Sequence, residues 1–272
     1  MFTMKRSVLL FVAVLLTAGL VSGRAQAADA PVLERIVQSG ELRVGLSGDQ
    51  PPYNATDRDG HLIGLEVDLA NLLAGALRVE AKFVTRPFPR LLDALEAGEV
   101  DIVMSGMAIT APRSLKATFA GPYMLSGKSI LTTSKTLAAV RSAGEINRAN
   151  LKLAALGNST SEEFIKKVLP EATLVAVDNY TTAVNKVLAD EVDAMVADMP
   201  ICVITAMRHP GKGLATLAEP LTIEPVGIAV PASDPQLQNL IDNYVDAFEA
   251  TGVLDGVRAK WLEDDAWLAA LP

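Results

Sequence analysis

Arg113, Asp198 and the run Asn158-Ser159-Thr160-Ser161 are the residues here whose types and spacing best suit the gripping of charged groups. The guanidinium of Arg113 presents a planar fork of donors that matches two carboxylate oxygens. Thr110 precedes it by three positions, at the start of a predicted short helix, where backbone N–H groups are open to an anion. A surface arginine capping that helix is the plainer alternative. Asp198 ends an otherwise apolar strand, Ala194–Ala197, where a carboxylate has reason to pair with a cation. It also suits the N-cap of a helix beginning near Pro200. Asn158–Ser161 lies between a strand and a helix, where free amides converge. It reads equally as a capping box, Ser159-x-x-Glu162 or Thr160-x-x-Glu163. Neither G-x-S-x-G nor H-E-x-x-H occurs. His61 and His209 fall in turn-like stretches, and Asp57-Arg58-Asp59-Gly60 lacks the later positions of a calcium loop and reads as a hairpin turn. No metal and no cofactor are expected.

The elements that must position these groups alternate. Helix Val32–Ser39 precedes strand Glu41–Leu46. Helix Val67–Leu77, strand Val79–Thr85, helix Pro89–Ala97 and strand Val100–Met104 follow. Further on come strand Leu151–Leu156, helix Ser161–Leu169, strand Thr173–Val177, helix Tyr180–Ala189 behind an Asn179 cap, and strand Ala194–Ala197. Such alternation implies helices packed on mainly parallel sheets. Glu99-Val100-Asp101-Ile102-Val103-Met104 is echoed by Glu191-Val192-Asp193-Ala194-Met195-Val196. Any helix–turn–strand unit can look like this; the sharper reading is two related α/β lobes. Ligands of open α/β sheets bind beyond the carboxyl ends of the strands. Those ends are Ser105–Thr110 in one unit and Asp198 in the other, and two such edges face to face make a cleft.

The chain opens with Lys5 and Arg6, an apolar run over 7–23 and Ala25-Gln26-Ala27, the order of a secretory signal peptide cleaved after residue 27. The run is short for a membrane span. Removing this segment, with Lys5, Arg6 and Arg24 and no acids, takes the net charge from −8 to −11. So acidic a chain argues against nucleic acid and anionic membrane as partners. Cys202 is the only cysteine, so there is neither an internal disulfide nor a lipid-bearing cysteine behind the leader. A periplasmic protein without a lipid anchor is expected.

The chain resembles the polar amino-acid periplasmic binding proteins of ABC importers (extracellular solute-binding protein family 3) from about Leu33 to Trp261. The resemblance rests on pieces in the family's order: Gly40-Glu41-Leu42-Arg43-Val44-Gly45, Pro51-Pro52-Tyr53, Gly64-Leu65-Glu66-Val67-Asp68-Leu69-Ala70, Ser105–Arg113, Phe119-Ala120-Gly121-Pro122-Tyr123, Val192–Asp198 and Val226-Gly227-Ile228-Ala229-Val230. It implies a two-lobed type II periplasmic-binding fold of class α/β. Each lobe is a mainly parallel sheet flanked by helices, and two strands form the hinge. Residues 28–122 and 226–272 would make lobe one and 123–225 the inserted lobe two, with crossings near Gly121–Ser126 and Thr222–Val226. It implies binding of an amino-acid-like zwitterion by a monomer that delivers it to an inner-membrane ABC permease, with no enzymatic step.

The family pattern gives Arg113 the ligand carboxylate and Asp198 the α-ammonium. Thr110, Gly106, Ala108, Ser159 and Thr160 fall at contact positions, and Phe88 at a pocket wall. Three positions depart from it. Gln50 stands where a ring commonly stacks on the ligand, Ser47 where several members have an acid, and Ala108 where many have a hydroxyl. Asn158 replaces the usual glycine before the Ser159-Thr160 pair. The missing acid at Ser47 disfavours a cationic ligand. Two rival readings remain: a cyclohexadienyl-dehydratase-like enzyme on the same fold, and a soluble ligand-sensing module.

Overall fold

The computed structural model describes residues 31–272; the leader expected over 1–27 lies outside them. Short strands rich in Val, Ile, Leu and Ala alternate with amphipathic helices and build two five-stranded sheets and a small three-stranded one. The first sheet has the order Glu80–Thr85, Glu41–Leu46, Ile102–Val103, Glu224–Pro231, Ala117–Ser126. Its first three strands are parallel; Glu224–Pro231 runs against them and pairs with Ala117–Ser126 as an antiparallel ribbon. The second sheet has the order Thr173–Val177, Lys152–Leu156, Ala194–Asp198, Lys128–Thr132, Ala215–Thr216. Again three strands are parallel; Lys128–Thr132 runs against them and pairs antiparallel with Ala215–Thr216.

Alternation along each strand divides the core. Ala194 and Val196 join a cluster with Ile130, Leu153, Phe164 and Ile165. Met195 and Ala197 face the other way, into a larger cluster with Ala183, Val184 and Val187 that continues into the first sheet's layer. A strand buried on both faces has no polar side, as expected of parallel sheets covered by helices.

The chain passes between the sheets twice, at neighbouring points. The ribbon stays paired as far as Ser126 opposite Glu224. Gly127 follows, and Lys128 begins the first strand to enter the second sheet. On the return, the Leu221 N–H donates to the Lys128 carbonyl (2.6 Å) and Glu224 re-enters the ribbon. Residues 123–126 and 224–225, assigned to the inserted lobe from sequence, therefore pair within the first sheet, because the antiparallel ladder runs on to the crossing. A Cβ on Gly127 would fall 1.9 Å from the Thr222 carbonyl oxygen, so only glycine lets the two crossing segments approach this closely.

The third sheet, Asp49–Gln50, Asn54–Thr56 and Leu62–Ile63, was not read from sequence. Asp57–Gly60 forms the turn of its hairpin, and the Asp57 carboxylate accepts the N–H groups of Asp59 and His61 (2.9 and 2.7 Å). Among the described residues no helix is long and apolar enough to cross a membrane.

Candidate functional site

The carboxyl ends of the two parallel strand sets meet. Ile102–Val103 leads into Gly106, Lys152–Leu156 into Ser159-Thr160-Ser161, and Ala194–Asp198 ends at its own aspartate. With Gln50, Phe88, Arg113, Lys128, Tyr180 and Ile201 they line one enclosed cavity. Its free space of about 10 Å³ has room for a single water.

Seven of the ten residues singled out from sequence line this cavity: Gln50, Phe88, Gly106, Arg113, Ser159, Thr160 and Asp198. Ser47, Ala108 and Thr110 are not among its lining residues, and their contacts show why. The Ser47 N–H donates to Ser105 Oγ (3.1 Å), and its hydroxyl turns to Asn54 Oδ1 (3.3 Å). Ala108 is buried and offers its carbonyl to Arg113 Nη1 (2.9 Å). The Thr110 hydroxyl caps the helix Ala111–Ser114 by accepting the Arg113 N–H (3.4 Å).

Arg113 spans the two layers. Its other terminal nitrogen donates to the Asn158 carbonyl (3.1 Å), and the guanidinium stands 5.6 Å from the centre of the Phe88 ring. Burial pulls its pKa down, while the carboxylates of Asp198, Glu224 and Glu163 act in the opposite direction. Asn158 supplies that carbonyl from a left-handed conformation, φ 56°. Asparagine enters this region more readily than most residues, which is how it fills a glycine position. Behind it the capping box expected at Ser159 is half realised: Ser159 Oγ accepts the Glu162 N–H (3.2 Å), but Glu162 accepts the N–H of Asn158 (2.6 Å), one residue before the cap, while the Ser159 N–H goes to the Leu156 carbonyl.

Asp198 has a partner that the sequence did not announce. Lys128 is its direct cross-strand neighbour, and Lys128 Nζ lies 2.5 Å from Asp198 Oδ1 and 3.0 Å from Glu224 Oε2. Lys128 is 2% exposed, so this ammonium is held by two carboxylates away from solvent. Asp198 makes no side-chain cap to the helix Met199–Arg208, so the capping alternative is not realised. Its other oxygen lies 3.5 Å from the Tyr53 hydroxyl, which also donates to Ser126 Oγ (3.1 Å). Burial, and then the Asp198 charge, push the Tyr53 phenol well above its ordinary pKa. Glu224 accepts from the Thr160 and Thr222 hydroxyls (2.7 and 3.2 Å), which ties the return crossing to the helix Thr160–Val168.

Lys128, Glu224, Tyr180 and Ile201 were not taken as site residues from sequence, whereas Ser161 lines the cavity as part of the run read there. The available signal was a lysine opening the run Lys128-Ser-Ile-Leu-Thr, all five residues of which are buried. A charge there requires a buried partner.

Residues 42–264 match the sequence model of the bacterial extracellular solute-binding proteins, family 3. The cyclohexadienyl dehydratase of Pseudomonas aeruginosa is 26% identical over 231 residues, covering 85% of this chain and 86% of that protein. The crystal structure of an ancestral amino acid-binding protein, a precursor of cyclohexadienyl dehydratase, superposes with a TM-score of 0.79. It is 33% identical and covers 85% of this chain and 99% of the other. A putative ABC-transporter binding component from Wolinella succinogenes, complexed with lysine, gives a TM-score of 0.79 at 32% identity with the same coverage.

Proposed function

Since the chain belongs to the bacterial extracellular solute-binding proteins, family 3, we propose that it binds a free amino acid or a closely related zwitterion in the cleft between its two sheets. It acts as a monomeric periplasmic protein that hands this ligand to an ABC importer. The reading rests on one observation. A guanidinium and a carboxylate from opposite layers, Arg113 and Asp198, line the same small cavity. A zwitterion carries a carboxylate for the first and an ammonium for the second, and burying either charge unpaired is costly.

The small cavity supports a closure mechanism. The cavity is too small for an amino acid as it stands, so the layers must part to admit one. Gly127 and the Thr222–Glu224 return are the two covalent links on which they turn. A ligand that touches both layers favours the closed state by its differential affinity. Arg113 then exchanges backbone carbonyls for the ligand carboxylate, and Asp198 Oδ2, whose one partner is the Tyr53 hydroxyl at 3.5 Å, takes the ammonium.

Thermal shift against the twenty amino acids identifies the ligand, because a molecule that binds only the folded state raises the midpoint. Titration calorimetry then tests the site. Arg113→Ala and Asp198→Ala each lower affinity at least about tenfold, since removing one partner of a buried charge pair costs roughly 2–5 kcal/mol. Unchanged affinity in both variants rejects the assignment.

The similarity to a cyclohexadienyl dehydratase favours a second reading, catalysis in the same cleft. Such a reaction needs an acid or base placed on the substrate. Here Asp198 is already paired with Lys128, and Ile201, one turn further on, is apolar. Incubation with a hydroxylated cyclohexadienyl carboxylate decides between the two: departure of the ring hydroxyl as water together with the carboxylate as carbon dioxide would leave an aromatic ring, visible as new ultraviolet absorbance.

A further inference from the structure

Lys128 is the group that the binding reading leaves unused, and its position is specific. It is 2% exposed and opens the first strand of the second sheet to follow the crossing at Gly127. It pairs with Asp198 across the ladder and with Glu224 from the return crossing, at 2.5 and 3.0 Å. The side chains of those two acids are 8% and 18% exposed, so little solvent screens the cluster. Lys128 also lines the cavity itself, beside Arg113 and Asp198.

We propose that Lys128 is a specificity-determining residue: a built-in cation, seated on the acidic pair Asp198 and Glu224, that restricts the cleft to amino acids whose side chains carry no positive charge. The proposal rests on the amino-acid reading above and names the class of ligand within it. Its basis is charge balance in a closed, dry site. Arg113 and Lys128 bring two positive charges, Asp198 and Glu224 two negative ones. An incoming zwitterion adds one of each. Its carboxylate goes to Arg113, and its ammonium shares Asp198 with Lys128, which Glu224 holds from behind. Neutrality is preserved, and each charge has a partner. A lysine or arginine ligand would add a second ammonium or a guanidinium to a space where both acids are already engaged. The surplus buried charge is then uncompensated, which is the costly situation for any ion removed from water. The position that a ligand's cationic side chain would need is occupied by one that the protein carries itself.

Two variants move the balance in opposite directions. Lys128→Met leaves one uncompensated negative charge, Glu224→Gln one uncompensated positive charge, and both keep the Arg113 and Asp198 side chains, although the first removes the cation that Asp198 pairs with. Each purified protein is screened by thermal shift against the twenty amino acids, and hits are titrated calorimetrically. The natural protein is expected to bind an uncharged amino acid at least about tenfold more tightly than arginine or lysine, the scale set by one unpaired buried charge. Lys128→Met should gain affinity for arginine or lysine by about tenfold or more. Glu224→Gln should weaken those two further and gain for aspartate or glutamate by a similar factor. Should Lys128→Met fail to fold by circular dichroism, Glu224→Gln carries the test alone, because Lys128 there keeps Asp198. A natural protein that binds arginine as tightly as uncharged ligands overturns the role of Lys128 while the amino-acid reading stands. Variants with unchanged charge preference do the same. A natural protein stabilised by none of the twenty overturns the amino-acid reading, and this proposal with it.

Discussion

Residues 97–104 and 189–196 form the same unit twice, once in each sheet. Ala97 and Ala189 each donate an N–H (2.9 Å) to the residue four back, Asp93 and Asn185. Gly98 and Asp190 follow in the left-handed region, φ 69° and 55°. Glu99 and Glu191 then donate to Ala94 and Lys186, both at 2.9 Å. Asp101 and Asp193 close the unit identically. Each donates its N–H to the carbonyl of a residue on the neighbouring strand, Arg43 or Lys152 (2.8 and 2.9 Å), and its carboxylate accepts that residue's N–H at 2.7 Å. The echo read from the sequence is thus a matching hydrogen-bond pattern, not a coincidence of composition. At the other end of the two strands the match stops: one leads to Ser105-Gly106, the other to Asp198. The amino ends carry the architecture that both layers share, and the carboxyl ends, which meet at the cavity, are where they differ.

The shared end is not equally loaded in the two copies, and this gives the largest expected effect. Asp101 is fully buried and receives Arg35 and Arg43, whose side chains are 33% and 28% exposed. Asp193 is exposed and has only the strand N–H. Asp101→Ala would strand two guanidinium groups against a buried strand end. Breaking a buried pair costs about 3–5 kcal/mol, and partial solvation of the arginines puts the expectation near the lower value. Asp193→Ala should cost about 1 kcal/mol, one hydrogen bond. Urea unfolding of both variants measures the difference. Equal losses would mean that the two units are energetically as well as geometrically alike.

The divergent ends differ in how they hold a buried carboxylate. Asp198 has the Lys128 ammonium. Glu66, on the first layer's side, has no cation among its hydrogen-bond partners. It accepts from Asn54 Nδ2 and the Gly106 N–H, both at 2.6 Å, and from the Tyr123 hydroxyl. Burial raises its pKa above the ordinary carboxylate value of 4.5, and the three donors only partly offset that. A folded pKa above the unfolded one means that the folded state keeps its proton longer. Stability from this group is therefore fully present below about pH 4.5 and is lost as pH rises through the folded pKa. The slope for one proton is at most about 1.4 kcal/mol per pH unit. Chemical denaturation across that range should show the decline in the natural protein and lose it in Glu66→Gln; a decline that survives would assign it to another group.

How much of this was legible in the sequence follows the same division. Helix Val32–Ser39 and strands Glu41–Leu46 and Thr173–Val177 have the bounds that their apolar patterns predict, because local periodicity decides them. Arg113 and Asp198, which line the cavity, were picked out because of where their charges sit, at the start of a helix and at the end of an apolar strand, together with the family pattern. Lys128 was not. Its partners lie 70 and 96 residues away, and an antiparallel return set by the crossing brings them together. The strands of the small sheet, Asp49–Gln50, Asn54–Thr56 and Leu62–Ile63, are too short to show a period, so Gln50 was read as a ligand position without the hairpin that holds it.

The smallest effects sharpen the comparison at its turns. Gly98 and Asp190 occupy the same left-handed position at a helix end, and a Cβ on Gly98 meets nothing within 4 Å. Gly98→Ala therefore tests backbone conformation alone and should cost about 1 kcal/mol. Asp190→Gly is the reciprocal change. Glycine removes the strain of an L-residue at φ 55°, but it also frees the unfolded chain, and aspartate tolerates this region better than most residues. The two terms nearly cancel, so the change in unfolding free energy should stay within about 0.5 kcal/mol of zero. A clear loss on Asp190→Gly would mean that the Asp190 side chain has a role its counterpart cannot have, and the two turns would no longer be copies of one device.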